Sequence, residues 1–586
     1  MATLEEPLLK TVRDPDRGQR NLTALAKHLG VTSFSNLCPI LLRLLPRTAD
    51  PDMALNNLER LLAQHAARQQ LPQLLESRQR GLDSVLQLLA TSQFFADTLV
   101  TYPEFLESVR NPSRRNPSTA ELTEQLRLEV DAASDDPAVL RAFRRFRNRH
   151  TLRIGINDVI RDRSLEEVTR ELARLADASI EVALQHSLRT VNNRFGTPTT
   201  PGGQPSKITA LAFGKLGGDE LNYSSDIDLM FVYDHDGETT GRRGGKQNSE
   251  FFDRVVKEVV RLLTTHTDRG FAYRVDLRLR PEGNRGPLAR GMASTLSYYD
   301  TMGRTWERQA LIKLRHVGGD PTLAREFLTA IEPFVYRKYL SFAEINEVKA
   351  LKRRMEQNAV RSGTSESPGD IPHDLKTGRG GIRDIEYAVQ FLQLLNGGDL
   401  PAVRQRNTLL ALEALEIAGC LTSVETFRLS DAYRFLRKTE HRLQLLFDLQ
   451  THRLPASHEE LRKLALRMGY QEREERSKGQ GARGETEPDR TLATLFETTS
   501  NEVPPLAPSP LPLVPITGAL APQKRSPIDE YATPRLDTRD LLIDPLDQFL
   551  KDLHDKTDHD RTILNHLLHQ TFEDAEQVQR TNSTSG

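Results

Sequence analysis

The sequence predicts an α+β chain of several domains, predominantly helical, with one small α/β unit set between helical regions. Three observations carry that expectation. The chain has 586 residues, too many for a single hydrophobic core. Apolar residues recur at helical spacing along much of its length. Between about 205 and 335 that pattern gives way to short strand-like runs bounded by glycine and polar turns.

Residues 1–204 read as a helical region. The segment from Ser164 shows it best: Ser164 and Glu167 make a capping box, and Leu165, Val168, Leu172 and Leu175 repeat along one face. TPTTPGGQPS, residues 197–206, is a loop. The α/β unit, 205–335, follows. ITALAFG (208–214) reads as a buried strand, DIDLMFVYD (226–234) as a second and FAYRVDLRLRP (271–281) as a third. NSEFFDRVVKEVVRLLTTH reads as a helix between the last two, with Phe252, Val255, Val259 and Leu262 on one face.

Residues 336–470 read as a helical bundle. RDIEYAVQFLQLL puts Ile385, Val389, Leu392 and Leu395 on one stripe and stops at Gly397 and Gly398. A further helix runs from about Leu429 to Phe447. Residues 471–540, charged and glycine-rich and then PPLAPSPLPLVP, form a low-complexity linker. Residues 541–586 carry a short amphipathic helical segment and a polar tail. The strand motif has no second copy.

Composition narrows the functional classes. With 80 basic and 81 acidic side chains the formal charge is −1, which gives no overall attraction to nucleic acid or membranes. The two cysteines, Cys38 and Cys420, form neither a disulfide framework nor a zinc spacing. No run approaches the ~18 apolar residues of a membrane span. The N-terminus lacks the basic-then-apolar pattern of a signal peptide. The expectation is a cytoplasmic protein that binds neither membrane nor nucleic acid.

The chemistry concentrates in GKLGGDELNYSSDIDLMFVYD. Asp226 and Asp228 are two residues apart on a strand, so period-two geometry puts both carboxylates on one face. Paired carboxylates repel unless a cation or proton lies between them, and hard divalent cations choose such oxygen ligands. On the third strand Asp276 shares a face with Arg274, Arg278 and Arg280. Two readings stand for that face. Asp276 completes a metal site while the arginines meet phosphate, or the four form a solvated salt-bridge face. Gly214, Gly217 and Gly218 surround Lys215 in a turn that suits a phosphate or is simply a turn, without the P-loop spacing. Ser224 and Ser225 likewise read as phosphate donors or as turn residues.

GKLGGDELNYSSDIDLMF resembles the signature of DNA polymerase β-like nucleotidyltransferases, in the form used by glutamine synthetase adenylyltransferases. YRVDLRLRPEGNRGPL, YYDTMGRTWERQALIKLRHVGGD and DLKTGRGGIRDIEYAVQFLQLLNGG are similar to that family too, as are FFADTLVTYPEFLESV and QTHRLPAS. The likeness covers roughly residues 80 to 470. It implies a polymerase β-like unit flanked by helical bundles, with Asp226, Asp228 and Asp276 as metal ligands for Mg²⁺ or Mn²⁺. It places Gly217, Gly218 and Ser225 in a nucleotide-phosphate turn, with Lys215, Arg274, Arg278 and Arg280 as candidates for phosphate. Lys376, Arg379, Arg383 and Glu386 fall in a second charged motif, which either closes over the nucleotide or ties the bundle to the α/β unit.

The family carries two such units in tandem, one adding AMP to a tyrosine of glutamine synthetase and one removing it by phosphorolysis. This sequence has one unit, and its helical lead resembles the removing half. The implied partners are glutamine synthetase, ATP or ADP, phosphate and a PII-type signal protein. Two other functions compete: a catalytically silent module that binds glutamine synthetase or a PII-type protein, and a PII-type uridylyltransferase.

Overall fold

The computed structural model describes residues 2–76, 80–241, 245–338, 347, 350, 374–471, 473–474 and 542–583. The linker expected at 471–540 lies almost wholly outside the described residues. The chain divides into two compact units, residues 1–471 with 545–586, and residues 472–544. In the second, Arg473–Glu474 and Leu542–Ile543 pair antiparallel. The first holds everything that follows. It is predominantly helical around a small mixed sheet. Among the described residues no helix is long and apolar enough to cross a membrane.

The sheet has five strands: β1 Ile208–Ala212, β2 Ile227–Tyr233, β3 Val275–Asp276, β4 Ala289–Gly291 and β5 Arg315–Gly319. Their order is β3-β2-β1-β5, with β4 also on β2. β1 runs antiparallel to β2 and β5, while β3 and β4 run parallel to β2. Alternation along the two central strands buries both faces. Ile208, Ala210, Ala212, Ile227, Leu229, Phe231 and Tyr233 join one core with helix Asn248–Thr264 and the N-terminal helices. Leu211, Phe213, Met230 and Val232 join another, with residues of helices Met292–Met302 and Pro321–Val335. The aspartate face of β2 is thus polar only where the strand begins.

The third strand is shorter than its alternation predicts. The N–H groups of Ala272 and Tyr273 both donate to Leu263 O, at 3.0 and 2.9 Å, and so satisfy the end of helix Asn248–Thr264 rather than a neighbouring strand. Beyond Asp276 the chain turns, because Arg278 N–H donates to Asp276 Oδ1 at 2.8 Å. Only two residues pair with β2. Conversely, β4 and β5 carry no alternating signal of their own and are strands because β2 and β1 pair with them.

The helix from Ser164 forms, with the serine half of the expected capping box. Ser164 accepts from Glu167 N–H at 3.3 Å, the helix spans Leu165–Phe195, and Gly196 follows at φ 82°. Arg144, fully buried on helix Asp136–Arg161, donates to Leu262 O at 2.8 Å and to Thr265 O. It caps free carbonyls at the end of the Asn248–Thr264 helix.

Helices Ile382–Asn396, Thr408–Ile417, Ser423–Phe447 and His458–Met468 supply the bundle core. The C-terminal helix Pro545–Ser583 adds Leu546, Phe549, Leu553, Ile563, Leu564 and Leu567 to it. One residue of that helix opposes the packing. Asp560 is 0% exposed, and neither carboxyl oxygen finds a hydrogen-bond partner among the described residues. Burial pushes its carboxyl well above the ordinary range; Asp384 and Asp431 add to the effect and Lys556 opposes it. A raised folded-state value means that stability is complete below the unfolded value near 3.8 and falls as pH rises. Asp560→Asn is therefore expected to raise the melting temperature by a few degrees at pH 7.5, with the difference shrinking toward pH 4. Thermal unfolding across that range checks it.

Candidate active site

The carboxylates meet at one edge of the sheet. Asp226 immediately precedes β2, Asp228 is its second residue, and the parallel register sets Asp276 directly beside Asp228. Burial pushes the Asp228 carboxyl up to about 6, and the Asp276 and Asp226 charges push the same way; Lys376 and Arg278 oppose them. Arg274 Nε donates to Asp226 Oδ1 at 2.7 Å. Arg278 Nε donates to Asp276 Oδ2 at 2.8 Å, and its other side-chain nitrogen bonds the same oxygen. Burial opposes ionisation of Asp276, but these hydrogen bonds outweigh it and hold the carboxyl below its usual value. With two of the three turned onto arginines, no group of three or more acidic, His or Cys side chains among the described residues stands ready as a metal cage.

The glycine turn after β1 packs onto this cluster. It is a single helical turn, Gly214–Gly217, anchored where Phe213 N–H donates to Asp228 O at 3.0 Å. Gly214 has φ 56°, and a Cβ there would stand 2.7 Å from Asp228 Oδ2, so only glycine fits. Gly217 and Gly218 serve packing as well. A Cβ on Gly217 would lie 2.0 Å from Lys313 O, and one on Gly218 would lie 3.0 Å from the Glu220 carboxyl. Ser225 is half-buried beside Asp226.

Two cations expected at phosphate are committed elsewhere. Arg280 is buried and donates to the carbonyls of Leu277, Gly286 and Pro287, where it closes the loop after β3. The strand alternation that aimed it at the carboxylate face does not extend so far. Lys215 Nζ donates to both oxygens of Glu440, at 3.0 and 2.9 Å. Its burial outweighs that partner and pushes the amine down to about 8.

Glu440 belongs to a seam that the sequence did not announce. The stretch between the glycine turn and Asp226 docks on helix Ser423–Phe447. Asn222 donates to Glu440; Arg437 donates to Asn222 Oδ1 and Glu220 O; His441 Nε2 meets Asn222 Oδ1 at 2.8 Å. Ser224 Oγ donates to Asp448, and Tyr223 OH donates to Asp158 Oδ2 at 2.9 Å. Arg442 grips Asp158 with two bonds of 2.7 and 2.8 Å. GDELNYSS is largely a docking strap, and its partner RKTEHRLQ, 437–444, went unremarked in the sequence. A run of five ionisable groups, together with Asn222 and Ser224, was the available signal.

The second charged motif splits between two roles. Glu386 meets Lys313 at 3.3 Å and accepts from Tyr433 OH at 3.4 Å, which is structural. Arg379 is exposed and Arg383 half-buried near the start of helix Ile382–Asn396. Lys376 sits on the preceding loop, where its charge acts on Asp228.

A small mixed sheet with paired carboxylates opening one strand, a third in register on the next and a glycine turn packed against them is the arrangement that the resemblance to nucleotidyltransferases implies. Comparison with known proteins narrows the class. Residues 82–330 match the family described as glutamate-ammonia ligase adenylyltransferase. Residues 349–487 match the family described as GlnD PII-uridylyltransferase. Among curated relatives, the bifunctional glutamine synthetase adenylyltransferase/adenylyl-removing enzyme of Pseudomonas aeruginosa is 39% identical over 392 residues, 66% of this chain and 39% of its own length. The enzyme of the same name from Hahella chejuensis is 38% identical over 388 residues, 66% of this chain and 40% of its own. The chain thus spans about two-fifths of the length of these relatives.

Proposed function

We propose that this chain controls glutamine synthetase as a nucleotidyltransferase and works in the adenylyl-removing direction. An oxygen of inorganic phosphate attacks the phosphorus of AMP carried on a tyrosine. The tyrosine–phosphorus bond breaks, ADP leaves, and the tyrosine oxygen takes up a proton. The observation that carries this reading is the parallel register that sets Asp276 beside Asp228, with Asp226 two residues upstream. The helical lead before the sheet supports the removing direction, since it resembles that half of the family.

The donor set fits a hard divalent cation, Mg²⁺ or Mn²⁺. It offers three carboxylates and only oxygen, and Asp228 is held up first by burial and then by its two neighbours. Asp226, Asp228 and Asp276 would hold the ion, which when bound neutralises charge on the transferring phosphate. Arg274 and Arg278, once released from Asp226 and Asp276, meet phosphate oxygens in its place. The Gly214 turn fixes the position of Asp228.

The match at 349–487 supports a PII-type signal protein as a partner of the bundle. It does not favour uridylyl transfer, because the sheet and its three carboxylates lie outside that span. The test supplies adenylylated glutamine synthetase, phosphate and Mg²⁺ and follows ADP. ADP formed by the wild type and lost in Asp228→Asn is the expected result. A folded wild type that releases none overturns the removing direction; ATP with unmodified glutamine synthetase then tests the adding one. Inactivity in both assays leaves a regulatory binding module.

A further inference from the structure

A site that handles a phosphate dianion needs positive charge that is not already neutralised. Most cations around the carboxylates fail that requirement. Arg274 is held by Asp226, Arg278 by Asp276, Arg280 by three carbonyls, Lys215 by Glu440 and Lys313 by Glu220. Lys376 differs. It is half-buried, and its side chain has no hydrogen bond or ion pair among the described residues.

Its loop is rigidly placed. Asp374 Oδ1 accepts from the N–H groups of both Lys376 and Thr377 at 2.9 Å. Leu375 N–H donates to His452 O at 2.9 Å, and Arg383 N–H donates to Lys376 O at 3.1 Å. Gly380, at φ 68°, lies so close to the C-terminal helix that a Cβ would stand 2.1 Å from Thr557 O. The same contacts lead back to the carboxylates. His452 Nδ1 lies 2.6 Å from Glu440, Glu440 holds Lys215, and Lys215 follows the glycine that abuts Asp228. The loop that carries Lys376 is thus tied by contacts to the turn that abuts Asp228, and the lysine charge acts on that carboxylate without forming an ion pair with it. A half-buried lysine without an ion pair beside three carboxylates has a use when an anion arrives from solution.

We propose that Lys376 is a substrate-binding residue: its ammonium, delivered from the helical bundle, binds the phosphate oxygens of inorganic phosphate and of the ADP product. The proposal rests on the function proposed above. It gives the bundle a direct part in the reaction, because the loop's position depends on His452 and on the C-terminal helix.

The test uses the full chain as wild type, Lys376→Met and Lys376→Arg. ADP binding is measured by calorimetry with Mg²⁺, the KM for inorganic phosphate is measured in the ADP-release assay, and thermal unfolding is followed for each. Lys376→Met is expected to weaken ADP binding and raise the phosphate KM by about tenfold to a hundredfold, as loss of a charge-assisted bond requires. At pH 5, where the Asp228 charge that Lys376 offsets is largely absent, its melting temperature should stay unchanged, and Lys376→Arg should recover most of the affinity. Equal ADP affinity and phosphate KM in the wild type and Lys376→Met overturn the proposal while leaving the carboxylate site standing. A melting temperature that falls in both variants also overturns it, by showing a structural lysine. A folded wild type that neither binds ADP nor turns over sinks the functional reading itself, and this proposal with it.

Discussion

Asp228→Asn is expected to lower turnover by about a hundredfold to a thousandfold or more while making the metal-free protein more stable at neutral pH. The two effects share one cause. Asp228 is held up at about 6, against an ordinary value of 3.8, first by burial and then by Asp276 and Asp226. A folded-state value above the unfolded one means that stability is complete below about pH 4 and falls as pH rises through 6. At pH 7 the cost is about 2–3 kcal/mol. Asparagine keeps the shape and removes the charge. A divalent cation offsets the same cost in the wild type, so Mg²⁺ should raise its melting temperature and barely move that of the variant. Thermal unfolding at pH 5 and 7.5, with and without Mg²⁺, separates the cases. An Asp228→Asn protein less stable than the wild type at pH 7.5 would mean that this carboxylate is a structural acceptor.

The second large effect falls far from the chemistry in sequence. Glu440→Leu is expected to destabilise the protein by about 3–5 kcal/mol. Glu440 is fully buried and faces Lys215, Asn222, His452 and Arg437. Burial opposes its ionisation, yet Lys215, His452 and Arg437 hold the carboxyl well below the usual range. Lys215 leans on this one carboxylate against its own burial, so its amine is pushed down while Glu440, with Lys215 and Arg437 as cations and a hydrogen bond from His452, stays charged. Leucine would leave Lys215 and Arg437 as buried charges without their acid. A depressed acid lends stability above its unfolded value, near 4.5, and that contribution disappears as pH falls through the lower folded value. The wild type should therefore lose this part of its stability only in strong acid, and the variant should lack it throughout. Hydrogen exchange provides the local readout: protection over residues 214–226 should fall with protection over 437–448, because the strap docks on that helix. A Glu440→Leu protein with unchanged midpoint and exchange would show that apolar packing alone holds the seam.

What the sequence by itself determined here is whatever neighbouring residues encode among themselves. Asp226 and Asp228 had to share a face once their segment was a strand. The apolar run from Ile208, the alternation from Ile227 and the apolar face of Asn248–Thr264 mark the α/β unit by local pattern alone. The cap at Ser164 and the stop at Gly397 are equally local. Strand alternation left two readings for Asp276 and the family resemblance chose the metal ligand; the match at 82–330 is to the family of that resemblance, whereas the one at 349–487 is to the PII-uridylyltransferase family.

What only the tertiary structure decided concerns partners that lie far apart along the chain. The expected third strand shrank to two residues because Leu263 O claimed the N–H groups of Ala272 and Tyr273. β4 and β5 exist because β2 and β1 had unpaired edges to offer them. Lys215 and Arg280 read as phosphate ligands by position, yet Glu440 and the loop carbonyls after β3 hold them. Lys376, 148 residues beyond Asp228 in the chain, lies where its charge acts on that carboxylate. Periodicity states which way a side chain points within its own element. A buried charge or N–H goes to whichever partner the fold brings within bonding distance, and no run of adjacent residues records that choice.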